Sequence, residues 1–228
     1  VAAAAEIPRM SSLPRLAVLA SGRGSNLQCL LDAIAAGQLA AQVVGVFSDK
    51  PGAAALDKVA PEQRWARSPR DFADREAFDS ALADALAASQ PDWIICAGYM
   101  RILGAAFVQR FSGRLINIHP SLLPLHKGLH THAQAIAGGH AEHGASVHFV
   151  VPELDAGAVI AQARVPVLPG DSAETLAKRV LAVEHPLLLA SVQLLAAGRL
   201  AEQGGVVQFD GQSLFSPLRL DSAGTLHR

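Results

Sequence analysis

Cysteine is scarce: Cys29 and Cys96 are the only two in 228 residues. The first falls in a segment that reads as the apolar face of a helix and the second in one that reads as a buried strand. Both are therefore expected as reduced core thiols rather than as a disulfide. No charge of one sign dominates either, because 19 Lys and Arg against 20 Asp and Glu leave a formal net charge of -1. That balance offers no overall attraction to nucleic acid or to an anionic membrane surface. Charged or turn-forming residues interrupt every candidate for the ~20-residue apolar run that crosses a bilayer. The alanine-rich opening Val1–Ser12 lacks both the basic leading region and the long apolar core of a secretory signal. Residues 1–14 are accordingly expected to be a disordered extension, the location cytoplasmic and the partner a small molecule, with no nucleic acid and no membrane. No internal repeat is visible.

What is abundant is apolar side chain, at 50% of positions, enough for one substantial core. Leu16 to Ala20 is an apolar run that meets a Gly-rich turn, and Leu27, Leu30, Leu31 and Ile34 then recur at helical spacing. Val43 to Ser48 repeats the strand signal and stops at Asp49-Lys50-Pro51-Gly52, with alanine-rich helical material after it. Asp71 to Ala88 reads as a helix, and Trp93 to Ala97 as a strand buried on both faces. This alternation predicts an α/β, Rossmann-like fold with a mostly parallel central sheet flanked by helices. Ligands of such a fold gather at the carboxyl ends of the strands, here the loops after Ala20, Ala97 and Ile118. Ser146 to Val151 and Val159 to Val167 read as an antiparallel pair, giving the carboxyl-terminal portion its different character. Ala173 to Leu195 reads as a long helix capped at Asp171-Ser172, with Pro186 as a site of kinking or termination. Val206 to Leu214, with its Asp210-Gly211 turn, reads as one small hairpin. The expected organisation is a catalytic domain over 15–202, with a hairpin and tail over 203–228 packed on it.

Three segments carry groups that suit chemistry. Ser21-Gly22-Arg23-Gly24-Ser25-Asn26 lies between strand and helix, where small residues let backbone amides approach an anion at a helix amino terminus. Leu27 stands where a dinucleotide fingerprint needs glycine, and no Gly-Lys-Ser/Thr follows, so a terminal monophosphate suits the loop better than a dinucleotide or ATP. The same residues also serve as a tight connection without ligand. In Asn117-Ile118-His119-Pro120 the two polar residues are two apart on a strand and face one side. An amide donor for a developing oxyanion beside an imidazole that exchanges protons near neutral pH suits amine attack on an acyl carbon. Asp155 lies in the loop joining the last two strands and is expected to stabilise the imidazolium of His119 if that loop folds back, with Glu153 as the rival carboxylate. His126, His130, His132, His140, His143 and His148 crowd the same stretch, but there is no HExxH and the cysteines lie far off. Many of them fall in what reads as loop or helix surface, and solvated or hydrogen-bonded imidazoles are expected, with no metal. No Gly-x-Ser-x-Gly elbow supports a serine hydrolase.

Ser21 to Asn26, Cys96 to Leu103, Asn117 to Pro124 and Glu153 to Asp155, in this order and spacing, resemble the glycinamide ribonucleotide formyltransferases of purine synthesis. The likeness covers roughly Leu16 to Leu200. It implies the formyltransferase fold and an enzyme that moves the formyl group of 10-formyltetrahydrofolate, a co-substrate, to the amine of 5-phosphoribosyl-glycinamide through a tetrahedral intermediate. By the same resemblance Asn117, His119 and Asp155 are catalytic, with Asn117 holding the oxyanion, His119 transferring a proton and Asp155 setting its charge state. Gly24, Ser25 and Asn26 meet the substrate phosphate, and Glu184 the ribosyl glycinamide. Arg75, Met100, Arg101, Ile102, Leu103 and Asn117 are folate contacts, as are Val151, Pro152, Glu153, Leu154 and Asp155. The partners implied are these two small molecules, for a monomer or homodimer.

Two positions depart from the family pattern. Leu125-His126-Lys127 replaces a basic-aromatic-proline sequence, and Leu181 replaces a polar residue that some relatives carry near the substrate. Competing functions are hydrolysis of the same formyl folate, formylation of initiator methionyl-tRNA and non-catalytic folate or nucleotide binding. The first two accompany an extra amino- or carboxyl-terminal domain, for which this sequence is expected to have no room.

Overall fold

A computed structural model describes residues 13–228; the expectation for residues 1–12 lies outside the described residues. Strand β1 (Arg15–Leu19) sends Leu16 and Val18 to one side of the sheet and Ala17 and Leu19 to the other, as the two-residue period of a strand requires. Helix α1 (Ser25–Ala35) starts where Gly24 turns the chain with φ 70°, and β2 (Gln42–Ser48) follows. The alanine-rich stretch after Gly52 forms only a short 3-10 turn, Ala54–Lys58, before β3 (Arg64–Ala66). Helix α2 (Arg75–Ala88) begins later than Asp71, because the Asp74 side chain accepts the Ala77 N–H at 2.8 Å and caps the helix there. Then come β4 (Trp93–Cys96), α3 (Ala105–Arg110), β5 (Leu115–His119) and α4 (Thr131–Ala137), followed by β6 (Glu142–Phe149), β7 (Val159–Pro166) and α5 (Ala173–Ala196).

Helix α5 continues past Pro186. Proline inside a helix costs about 3 kcal/mol, but Leu187, Leu188, Val192 and Leu195 beyond it are fully buried, each worth roughly 1.5–3 kcal/mol. Burial outweighs the lost hydrogen bond, so the helix neither ends nor breaks. This helix is long and apolar enough to cross a membrane by length and composition. In the fold it lies against β6 and β7 as a core element.

The tail holds more than one hairpin. β8 (Leu200–Gln203), β9 (Val206–Phe209) and β10 (Gln212–Ser213) form a separate antiparallel sheet, with turns at Gly204-Gly205 and Asp210-Gly211. β8 is hard to read because Leu-Ala-Glu-Gln contains strong helix formers and no β-branched residue. β11 (Leu218–Leu220) pairs parallel with β7, and β12 (Leu226–His227) closes that edge.

The main sheet runs β12-β11-β7-β6-β5-β4-β1-β2-β3. Its β3-β2-β1-β4-β5 portion is parallel, whereas β6 is antiparallel to both neighbours. One face is covered by α1 and α5 over Leu16, Val18, Ile116 and Ile118, the other by α2 and α3, whose Phe78, Leu82 and Phe107 pack with Ala17, Leu19, Ile94 and Leu115 of the strands. The architecture is thus mixed α/β with a mostly parallel central sheet.

Candidate active site

From β1 the parallel sheet continues to β2 and β3 on one side and to β4 and β5 on the other, so the connections leave in opposite directions and a crevice opens at the strand ends. Ser21 ties its two lips together: its N–H donates to the Gly98 carbonyl at 3.0 Å, and its Oγ accepts the Met100 N–H at 2.9 Å. The same hydroxyl donates to Asp49 Oδ1. A cavity of about 660 Å³ fills this crevice.

Its reacting end is built by β5 and β6. Ile116 and Ile118 go into the core, so Asn117 and His119 share the opposite face. The antiparallel register sets His148 directly across from Asn117, and residues so paired lie on one face. Asn117 Nδ2 and His148 Nε2 are 3.1 Å apart, while His148 Nδ1 is 2.8 Å from the Phe149 carbonyl. A carbonyl only accepts, so Nδ1 bears the proton and Nε2 presents its lone pair to the Asn117 amide. Burial pushes the imidazole pKa down to about 4, so His148 is neutral at physiological pH and its 3.6 Å approach to Asp155 Oδ1 is no ion pair.

His119 is buried and donates from Nε2 to the His126 carbonyl at 2.9 Å. Its Nδ1 faces Asp155 Oδ2 at 3.5 Å. Asp155 reaches there because the loop after β6 folds back over the strand ends. Its Oδ2 accepts the Gly128 N–H at 2.8 Å, fastening that loop to the one after β5. The return needs Gly157, where a Cβ would lie 1.8 Å from the Phe149 carbonyl oxygen. Glu153 instead lies 3.8 Å from Lys127 with its side chain exposed.

Also in the cavity lining, Asn26 donates from Nδ2 to Glu184 Oε2 at 3.1 Å. Burial raises the Glu184 pKa, against the lowering effect of that hydrogen bond. Met100, Arg101, Ile102 and Leu103 line one wall, and Val151, Pro152, Glu153 and Leu154 another. Met100, Ile102, Leu129 and Leu154 are left exposed at the cavity, where large apolar side chains suit a flat ligand. Three predicted residues lie outside its lining. Arg75 stands behind the wall, donating from Nη2 to the Ile102 carbonyl at 2.6 Å and approaching Asp79 at 3.7 Å. Gly24 is buried within the loop, and Ser25 lines a neighbouring groove.

His143 and His148 lie in β6 and are buried. His143 Nε2 is 3.1 Å from His132 Nδ1, and burial, reinforced by four neighbouring imidazoles, lowers its pKa to about 4. His148, the site residue that sequence reasoning missed, was signalled by alternation in Ser146-Val147-His148, which puts two polar residues on one face of a strand. Among the described residues no group of three or more His, Cys, Asp or Glu side chains is arranged to hold a metal ion.

Comparison with known proteins converges on one group. The family model described as formyl transferase matches residues 14–192. The phosphoribosylglycinamide formyltransferase of Escherichia coli strain K12 is 44% identical over 204 residues, which span 87% of this chain and 95% of that protein. The solved phosphoribosylglycinamide formyltransferase of Coxiella burnetii superposes with a TM-score of 0.83 at 42% identity, covering 89% of this chain and 96% of that one. A more distant likeness is the formyltetrahydrofolate deformylase of Pseudomonas syringae, with a TM-score of 0.78 at 26% identity, covering 87% of this chain and 66% of that one.

Proposed function

The chain belongs to the formyl transferase family, and from that premise we propose that it transfers the formyl group of 10-formyltetrahydrofolate to the amine of 5-phosphoribosyl-glycinamide in purine biosynthesis, in the cytoplasm. The observation that carries this reading is the meeting of Asn117, His119 and Asp155 in one cavity whose lining also holds Asn26 and Glu184. An amine-bearing sugar in this cavity would present its amine to the polar triad.

When the amine nitrogen adds to the formyl carbon, the carbonyl electron pair moves to oxygen. Asn117 has two amide N–H groups; His148 takes one, and the other is free to donate to that oxyanion. The new carbon–nitrogen bond leaves a proton on the amine, and breaking the old one places an electron pair on the folate nitrogen, so one proton must move between the two. Nε2–H of His119 is committed to the His126 carbonyl, which leaves Nδ1, opposite Asp155, as the exchanging position. Asp155 Oδ2 stands 3.5 Å from that nitrogen. Met100, Ile102 and Leu154 would enclose the pterin, and the backbone of 100–103 and 151–155 would read its edge.

The test is absorbance-monitored conversion of 10-formyltetrahydrofolate to tetrahydrofolate with and without glycinamide ribonucleotide, with the product followed by mass. Amine-dependent turnover to formylated product is expected. Amine-independent release of formate would move the assignment to a hydrolase, and folate binding without turnover to a binding protein.

A further inference from the structure

His119 heads a row of polar side chains that crosses the sheet. The register of β5, β6 and β7 sets Ser146 directly across from His119 and Gln162 directly across from Ser146, and side chains so paired share one face. The row is dry: Ser146 is 0% and Gln162 9% exposed, and His119 is buried with them. Polar groups so placed must find their partners inside the protein. Ser146 Oγ finds three, donating to the Ser121 carbonyl at 2.7 Å and accepting the Leu123 N–H and Gln162 Nε2, each at 3.0 Å. That is the full capacity of a hydroxyl. Gln162 Nε2 gives its other proton to the Leu123 carbonyl at 2.8 Å.

Beyond the row itself, these contacts end on the backbone of the loop that follows β5. Ser121, also fully buried, extends the hold by donating from Oγ to the Leu125 carbonyl at 2.6 Å. Thr131 Oγ1 closes the far end of the loop by donating to the Pro120 carbonyl at 2.6 Å. One peptide beyond Leu125 is the His126 carbonyl, which takes the Nε2–H of His119 at 2.9 Å. The chain is thus fixed at 121, 123 and 125 before it presents that acceptor. A neutral imidazole that donates from Nε2 carries its lone pair on Nδ1, the nitrogen that faces Asp155. Because the grip is on backbone atoms, the exposed side chains of Leu125 and Lys127 take no part in it. The departure from the family pattern at 125–127 therefore leaves the acceptor in place.

We propose that Ser146, Gln162 and Ser121 are positioning residues for formyl transfer: they hold the His126 carbonyl where it fixes His119 as the Nε2–H tautomer, leaving Nδ1 to exchange the proton. This rests on the transferase reading above, which gives His119 a proton to move. None of the three lines the cavity, so each acts through His119. Without the hold the carbonyl drifts from Nε2 and the ring proton distributes between the two nitrogens. Part of the enzyme then presents Nδ1–H where a lone pair is needed.

The test uses Ser146→Ala and Gln162→Met, with Val147→Ala as a control that opens a gap in the core on the opposite face of β6. Steady-state kinetics are read beside the NMR shifts of the His119 ring nitrogens, which distinguish the two tautomers. In the wild type the shifts should report the Nε2–H form. In both variants they should move toward a mixture, and kcat should fall about 10-fold, the weight of one ordinary hydrogen bond, with KM for either substrate unchanged. Val147→Ala should alter neither reading. An unchanged tautomer in both variants would overturn the assignment whatever happens to kcat. So would a change in Val147→Ala as large as theirs, since that would mark a general loosening of the strand. Should either variant fail to fold, Ser121→Ala, which removes only the tie to Leu125, is subjected to the same two readings. If the wild type fails to formylate the amine, the transferase reading falls. The tautomer, read without turnover, still judges the positioning role: a shift in the variants supports it and constancy refutes it.

Discussion

Replacing His148 by phenylalanine keeps a ring of similar shape in β6 and removes two hydrogen bonds at once, the one from Asn117 Nδ2 at 3.1 Å and the one to the Phe149 carbonyl at 2.8 Å. The first loss matters for rate. With the Nε2 lone pair gone nothing fixes which way the Asn117 amide points, and a misoriented oxyanion donor costs roughly 10²-fold or more in kcat. The second loss matters for stability, because a buried carbonyl left unpaired costs about 1–3 kcal/mol. The substitution also changes the response to acid, with a sign that follows from linkage. Burial depresses the folded pKa of His148 to about 4 from 6.5, so between those values the unfolded chain binds a proton that the folded chain does not, and stability falls as pH falls. From neutrality to about pH 5 this amounts to about 2 kcal/mol from His148. His143, depressed to about 4 as well, contributes in the same direction and remains in the variant. Urea unfolding at the two pH values together with steady-state kinetics checks both parts. The variant should be less stable at neutral pH, lose less on acidification than the wild type, and show a reduced kcat with KM for either substrate little changed. A variant with near-wild-type kcat and the wild-type acid response would refute the assignment of His148 as the residue that orients Asn117.

Asp155→Asn retains an oxygen for the Gly128 N–H but removes the charge opposite His119 Nδ1; kcat should fall about 10²- to 10⁴-fold while the thermal midpoint barely moves. Gly157→Ala must displace the returning loop, since its Cβ would sit 1.8 Å from the Phe149 carbonyl oxygen; a loss of about 1–3 kcal/mol in chemical unfolding and weakened folate binding are expected together. Burial pushes the Cys96 thiol up to about 12, so thiol titration of the native protein should spare Cys96, which should react only once denaturant is added.

The sequence was most legible where local periodicity decides the outcome. Asn117 and His119 could be placed on one face because a strand alternates, and the loops after Ala20 and Ala97 could be placed at a common crevice because parallel strands alternate with helices. What stayed hidden depends on register between distant segments. His148 reaches Asn117 only because β6 runs antiparallel to β5 with those two residues opposed; a slip of one residue would turn its ring to the other face. The choice between Asp155 and Glu153 was open for a related reason, since both lie in one loop and only the fold-back permitted by Gly157 separates a buried carboxylate from an exposed one. Arg75, expected from the resemblance as a folate contact, donates from its guanidinium to the Ile102 carbonyl and does not itself line the cavity. That position gives it an indirect route to the ligand, because Ile102 is one of the exposed apolar side chains at the cavity. Local pattern thus identifies the groups able to react, while long-range pairing determines which of them are held still enough to do so. For this chain the distinction falls between His119, found by its spacing from Asn117, and His148, found only through the partner strand that orients the same asparagine.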